Sequence, residues 1–137
     1  MWIAVLGLLL LAAHLNLTGL VPLHAGEAPP PWWVGGRLLW PFAEETNTLV
    51  FSGDAANALL PILGSTAALC FLLAAAALLH WQIPENWFTG LIITGVALSI
   101  ALQIVWFTGW AILPLAVDAL LLWAVFGAHM TVASLRG

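Results

Sequence analysis

The second apolar stretch of the chain, residues 55–81, reads AANALLPILGSTAALCFLLAAAALLHW and contains no Asp, Glu, Lys or Arg. A helix that crosses a bilayer needs about 20 consecutive, mainly apolar residues, so this stretch is long enough. Three further apolar stretches of sufficient length are 1–23, 87–107 and 112–135, of which the last contains one acid, Asp118. The sequence therefore predicts an all-α, polytopic membrane protein, in which one domain over residues 1–137 forms an antiparallel bundle of four transmembrane helices.

The composition of the whole chain agrees with this class. Hydrophobic residues make up 64% of the 137 residues and charged residues 6%, whereas a soluble domain carries roughly 25% charged residues. The mean hydropathy is +1.10. The net charge is −4 and no basic patch is visible, so we expect no nucleic-acid partner. Cys70 is the single cysteine, and we expect it to be a small buried residue rather than a disulfide or metal ligand.

The first stretch has the length of a secretory signal but lacks one of its parts. No basic residue precedes its apolar run, as a signal peptide requires. We therefore expect residues 1–23 to form a retained first helix.

The longest polar interval, residues 24–54, separates the first and second predicted spans. It contains three consecutive prolines, three tryptophans and the pair Glu44 and Glu45. Proline favours extended backbone, and tryptophan prefers the membrane–water interface. The interval is therefore predicted to be an interfacial loop that covers one end of the bundle and docks on a partner.

The other connections are short, which predicts antiparallel neighbours. Pro84 and Glu85 suit the first turn of the third helix. Pro61 lies too deep in the second span for a first turn, so the sequence predicts a kink there or a later helix start. Runs of Ala and Gly64 in the second span predict close helix packing.

The orientation depends on two arginines. An even number of spans places both termini on one side, and Arg136 lies close to the end of the last span. Arg37 lies in the long loop, farther from a span. Because Lys and Arg near span ends favour the cytoplasmic side, we expect both termini in the cytoplasm and the protein in a bacterial inner membrane.

Polar residues inside the predicted spans are the candidates for function, because an ionisable group in hydrocarbon is costly unless it is paired or hydrated. These residues are His14, Asn16, Thr18, Asn57, Ser99, Gln103, Asp118 and His129.

One polar cluster is predicted beneath the long loop. At a rise of 1.5 Å per residue, His14, Gln103 and Asp118 are each expected roughly 7–14 Å from the loop side, with Asn57 near them. Such a cluster can bind a small molecule or a proton. Alternatively, Asp118 accepts hydrogen bonds and acts as a structural clasp between helices. The spans hold no second acid that would continue a proton path to the other side.

His80 and His129 form a second candidate pair on the opposite side. Two histidines on facing helices can ligate a haem iron. Positions 118 and 129 are about three helical turns apart and share a helix face, so we expect His129 in the interior with Asp118. The hypothesis is a b-type haem site. No motif of nucleophilic catalysis is present around the serines, so we predict no catalytic residue and no resident metal ion.

Several features together resemble small bacterial four-helix membrane proteins of the DoxX-like and related uncharacterised kind. They are the run LLLLAAHL at 8–15, the long first loop, the alanine-rich second helix, the ALS tripeptide at 97–99, Trp106, Pro114 and Asp118. The resemblance implies the four-helix architecture. DoxX-like proteins are associated with membrane quinone or thiol redox complexes, but a chain with one cysteine does not suit a thiol role. The resemblance makes His14 and Asp118 the positions to test.

These observations predict a non-catalytic accessory or structural subunit of a larger membrane complex, of the energy-converting or redox kind. Its expected partners are the lipid bilayer and other membrane subunits, or further copies of itself. The alternatives are a small-molecule or proton-binding protein that uses His14, Gln103 and Asp118, and a haem protein that uses His80 and His129.

Overall fold

The computed structural model describes residues 1–17, 46–48, 54–108 and 112–136. Within these ranges the helices are α1 (Trp2–Asn16), α2 (Asp54–Leu78), α3 (Phe88–Val105), α4 (Ile112–Leu122) and α5 (Val132–Arg136). A 3₁₀ turn, Glu85–Trp87, precedes α3, and a π-helical turn, Trp123–Gly127, continues α4. The strands are β1 (Thr46–Thr48) and β2 (Trp106–Thr108).

The four long helices pack around a common interior. Helix α2 lies against α1 and α3, and α4 lies against α3 and α1. The guanidinium of Arg136 lies over the Trp2 ring, 4.6 Å from the ring centroid. The beginning of α1 and the end of α5 therefore meet at one end of the bundle, which we call the terminal end. The fold is mainly helical, as the sequence predicts.

Two helical segments, Pro61–Leu78 and Glu85–Val105, are long and apolar enough to cross a membrane. Helix α1 and the segment Leu113–Gly127 are apolar but shorter. Helix α2 begins at Asp54 and continues through Pro61, so it does not begin later.

Small residues of α2 form the packing face that the sequence predicts. Ala67, Ala74 and Ala77 are fully buried, and Gly64 is buried one turn earlier. Cys70 is also buried, as expected. Phe71 fills the remaining space with a fully buried ring. Because small side chains allow close approach of helix backbones, this face explains why α2 contacts both α1 and α3.

The outer surface of the bundle is as apolar as its interior. Large apolar side chains point outward on every long helix and on the π-helical turn. They are Leu10, Ile62, Leu69, Leu72, Ile93, Ile104, Leu120, Trp123 and Phe126. Soluble monomers rarely expose large contiguous apolar patches, and a helix that is apolar all round suits a membrane or a protein core.

The helix predicted over 112–135 is interrupted. The Ala128 N–H donates to the Trp123 carbonyl (2.9 Å) and the Met130 N–H donates to the Ala124 carbonyl (2.9 Å). These bonds span more residues than an α-helical bond, and His129 follows with a positive φ of 50°. A left-handed residue ends a helix, so α5 is a separate short helix.

One antiparallel strand pair was not predicted. Thr46 pairs with Thr108, Asn47 with Phe107 and Thr48 with Trp106. β1 lies in the predicted loop 24–54, and β2 takes residues from the end of the predicted span 87–107. Thr and aromatic residues favour strands. The pair lies where α2 begins and α3 ends, which we call the strand end; the rest of the loop lies outside the described residues.

Candidate functional site

The polar side chains that the described part of the bundle buries are Asn16, Ser99, Gln103 and Asp118. Asn16 is the last residue of α1, and Ser99 and Gln103 lie in the last two turns of α3. Asp118 lies in the second turn of α4. Since α1 starts at the terminal end, all four belong to the half of the bundle near the strand end. The depth that the sequence predicts for Gln103 and Asp118 is therefore consistent with the structure.

Asp118 and Ser99 lie side by side between α4 and α3. The Ser99 hydroxyl faces the Asp118 carboxylate, but the two groups do not reach hydrogen-bond geometry. Asp118 is 2% exposed, and neither of its carboxylate oxygens has a hydrogen-bond partner among the described residues. Burial of an unpaired carboxylate costs several kcal/mol. Within the described part of the chain, no hydrogen bond offsets this cost.

Asn16 adds another buried oxygen on α1. Its Nδ2 donates to the Ala12 carbonyl (2.8 Å), one turn back in the same helix. Its Oδ1 has no hydrogen-bond partner within the described ranges. The unpartnered atoms of the buried polar residues are thus three oxygens that can only accept hydrogen bonds and one hydroxyl. Such a set can take a hydrogen-bond donor or a cation.

The predicted cluster is brought together only in part. Gln103 is buried one turn after Ser99 on the same face of α3. His14 is half-buried on α1, and among the described residues it forms no ion pair with Asp118. Asn57 lies on α2, and its side chain is outside the described residues. Whether His14, Gln103 and Asn57 contribute to a site stays a prediction.

Ser99 lies beside Asp118, and Asn16 is buried in the same half of the bundle; the sequence analysis counted both as polar residues without joining them to the cluster. For Ser99 the signal was available. It precedes Gln103 by one helical turn, and residues i and i+4 lie on the same helix face.

The structural clasp would require Asp118 to accept hydrogen bonds from neighbouring helices. Within the described part of the chain its carboxylate accepts none. In the described part of the chain, therefore, no hydrogen bond supports the structural clasp.

His80 ends helix α2 instead of facing the interior. The His80 and Trp81 N–H groups donate to the Ala77 and Ala76 carbonyls (3.1 and 2.8 Å), and His80 has a positive φ of 57°. This is a Schellman-type helix end. The His80 Nδ1 lies 2.6 Å from the Glu85 Oε1, and the two side chains are 44% and 49% exposed.

His129 is exposed, and the prediction that it shares the interior face with Asp118 is wrong. The π-helical turn and the left-handed backbone at His129 break the α-helical periodicity on which that prediction depended. Neither histidine of the predicted haem pair is buried. Among the described residues, no three His, Cys, Asp or Glu side chains come together as a metal site.

A cleft of about 330 Å³ lies at the terminal end, between the start of α3 and α5. It is lined by Glu85, Asn86, Phe88, Thr89, Thr131, Val132 and Ala133. It is open to the surface and lies at the opposite end of the bundle from the Asp118 site.

Comparison of the chain with protein-family models, curated proteins and solved structures gives no match. The resemblance to DoxX-like proteins therefore stays a prediction, and the functional argument depends on the geometry of the chain itself.

Proposed function

We propose that the chain is an integral membrane protein whose helix bundle encloses a binding site for a small polar ligand or a proton, centred on Asp118. The observation that carries this proposal is the Asp118 carboxylate, which is 2% exposed and has no hydrogen-bond partner in the part of the chain that the structure describes. An ionisable residue in this setting is expensive and is by default a functional candidate. Ser99 supplies the neighbouring hydroxyl, and Gln103 and His14 are further candidates.

The membrane setting is supported by two features. Pro61–Leu78 and Glu85–Val105 are long and apolar enough to span a bilayer, and α1 and α4 also turn large apolar side chains outward. The proposal places all four helices in the bilayer of a bacterial inner membrane. Arg136, at the terminal end, favours cytoplasmic termini and an outside location for the loop.

Labelling with dicyclohexylcarbodiimide tests whether the site is accessible. This apolar reagent enters membranes and modifies carboxyl groups there. We expect an adduct on Asp118, detected by mass spectrometry of the peptide that contains it, and no adduct in Asp118→Asn. Glu85, which is half-exposed at the terminal end, provides the control acid through Glu85→Gln, which should leave labelling of Asp118 unchanged. If Asp118 is labelled only after denaturation, the proposed site is wrong.

An accessory-subunit role is the second proposal, and the interruption after α4 favours it. Trp123 and Phe126 are 60% and 58% exposed, next to the irregular backbone at 128–131. Within a membrane, irregular backbone is tolerated where protein or water covers it. A helix of a partner subunit that packs on Trp123 and Phe126 would supply this cover.

Purification from the native membrane in mild detergent tests the accessory role. We expect co-purifying subunits, and we expect Trp123→Ala with Phe126→Ala to release them. Leu69→Ala changes an outward-facing residue on α2 and is the matched control. A solitary, colourless protein would contradict this role. A Soret band that is lost in His129→Ala would instead revive the haem hypothesis.

A further inference from the structure

The buried charge of Asp118 has no counter-ion within the described part of the chain. Helices α3 and α4 carry no other ionisable residue, and α1 contributes only His14, which does not pair with Asp118. Arg136 lies over Trp2 at the terminal end, and Arg37 is outside the described residues. A buried ion needs an opposite charge close to it. No described side chain supplies this charge, which leaves a ligand as a source of it.

The atoms around Asp118 define the chemistry of that ligand. Both Asp118 oxygens and the Ser99 Oγ are buried without hydrogen-bond partners among the residues at 1–17, 46–48, 54–108 and 112–136, and Asn16 on the adjoining helix has a further oxygen of this kind. Oxygen ligands select hard cations. Because Asp118 is the one buried carboxylate among the described residues, one positive charge balances it, which favours a monovalent over a divalent ion.

We infer that the Asp118–Ser99 site binds one small monovalent cation from the aqueous phase, either a proton or a sodium ion. This inference depends on the proposed function, since it names the ligand of the same site. The Asp118 carboxylate holds the cation, and the Ser99 hydroxyl turns its lone pair toward a sodium ion or accepts a hydrogen bond from the protonated acid.

Thermal unfolding of the purified, full-length protein in mild detergent tests whether sodium is the ligand. Sodium chloride is compared with choline chloride at equal ionic strength. A ligand that binds the folded state alone raises the unfolding temperature as its concentration rises. If sodium is the ligand, the unfolding temperature increases with sodium chloride in the wild type and not in Asp118→Asn.

Infrared spectroscopy tests whether a proton is the ligand. A protonated Asp118 gives a carboxylic acid C=O band that shifts in D₂O and is missing from Asp118→Asn. If the ligand is a proton, this band is present and sodium chloride has no specific effect. If the two cations compete, sodium ions remove the band.

The Ser99→Ala variant keeps the test valid if Asp118→Asn does not fold. It removes one hydroxyl from the site, so the sodium effect should move to higher concentrations, or the acid band should shift in frequency. Ser65→Ala, at an exposed serine of α2, should behave as the wild type. Equal changes in both serine variants would contradict a role for Ser99.

The inference is overturned if the wild type shows neither a sodium effect nor an acid band, or if both persist in Asp118→Asn. Carbodiimide labelling separates this failure from failure of the proposed function. If native Asp118 is labelled but neither cation effect is seen, the proposed binding site is retained and the cation is excluded as its ligand. Absence of labelling in the native protein would contradict both the proposed binding site and the cation inference.

Discussion

The substitution Gly95→Leu is expected to lower the free energy of unfolding by about 1–3 kcal/mol, the usual cost of overpacking a core. A Cβ atom at residue 95 would lie 2.9 Å from the Phe71 Cε1. Phe71 is fully buried, so its ring has no free space into which it can move. The larger side chain would therefore separate α2 from α3, the two longest helices. Unfolding of the purified protein by sodium dodecyl sulfate, followed by circular dichroism, measures the change.

Gly90→Leu is the matched control on the same helix. A Cβ atom there meets nothing within 4 Å, so we expect a change within about 0.5 kcal/mol. Combining Gly95→Leu with Phe71→Ala should cost less than the sum of the two single changes, because the cavity accepts the new side chain. Equal losses at residues 90 and 95 would show that the Phe71 contact is not what requires glycine.

The substitution Asp118→Asn is expected to raise the stability of the sodium-free protein by about 1–4 kcal/mol at a pH high enough to ionise Asp118. Removal of a buried charge that has no partner relieves a desolvation cost, and asparagine keeps nearly the same shape. The same unfolding assay, performed in choline chloride, measures the gain. The proposed ligand binding should be lost although the fold survives.

Glu85→Gln provides the comparison for an exposed acid. Glu85 pairs with His80 at the surface, and an exposed pair contributes about 0–1 kcal/mol, so this variant should be neutral or slightly less stable. A marked loss of stability in Asp118→Asn would indicate that the carboxylate supports the fold, and would restore the structural clasp.

Much of the fold follows from residue type alone. The alanine-rich face of α2 predicts close packing, because small side chains permit it wherever the helix faces protein. The strand pair and the interruption after α4 do not follow in this way. β1 and β2 depend on a contact between residues far apart in sequence. Residue type does not predict the π-helical turn, in which the Trp123 ring lies so close to Gly127 that a Cβ there would approach it to 2.7 Å.

The candidate site likewise has some features that residue type predicts and others that it does not. Asp118 and Gln103 were predicted because polar groups in apolar helices turn inward, and this argument needs no knowledge of neighbouring helices. The pairing of His14 with Asp118 was a different kind of prediction. Depth along a helix does not fix its rotation about its axis, so His14 can lie at the expected level without reaching the carboxylate.

If the bundle lies in a bilayer as proposed, the unequal lengths of its helices have a consequence for the surrounding lipid. Helix α1 has 15 residues, about 22 Å of helix, whereas the hydrocarbon core of a bilayer is about 30 Å thick. Helix α2, with 25 residues, exceeds that thickness. Such hydrophobic mismatch is accommodated by local thinning of the bilayer, and here it would fall on the side of the bundle formed by α1 and α4. Thinner lipid on that side would bring the headgroups and water nearer to Asp118, and so shorten the distance that an ion must travel.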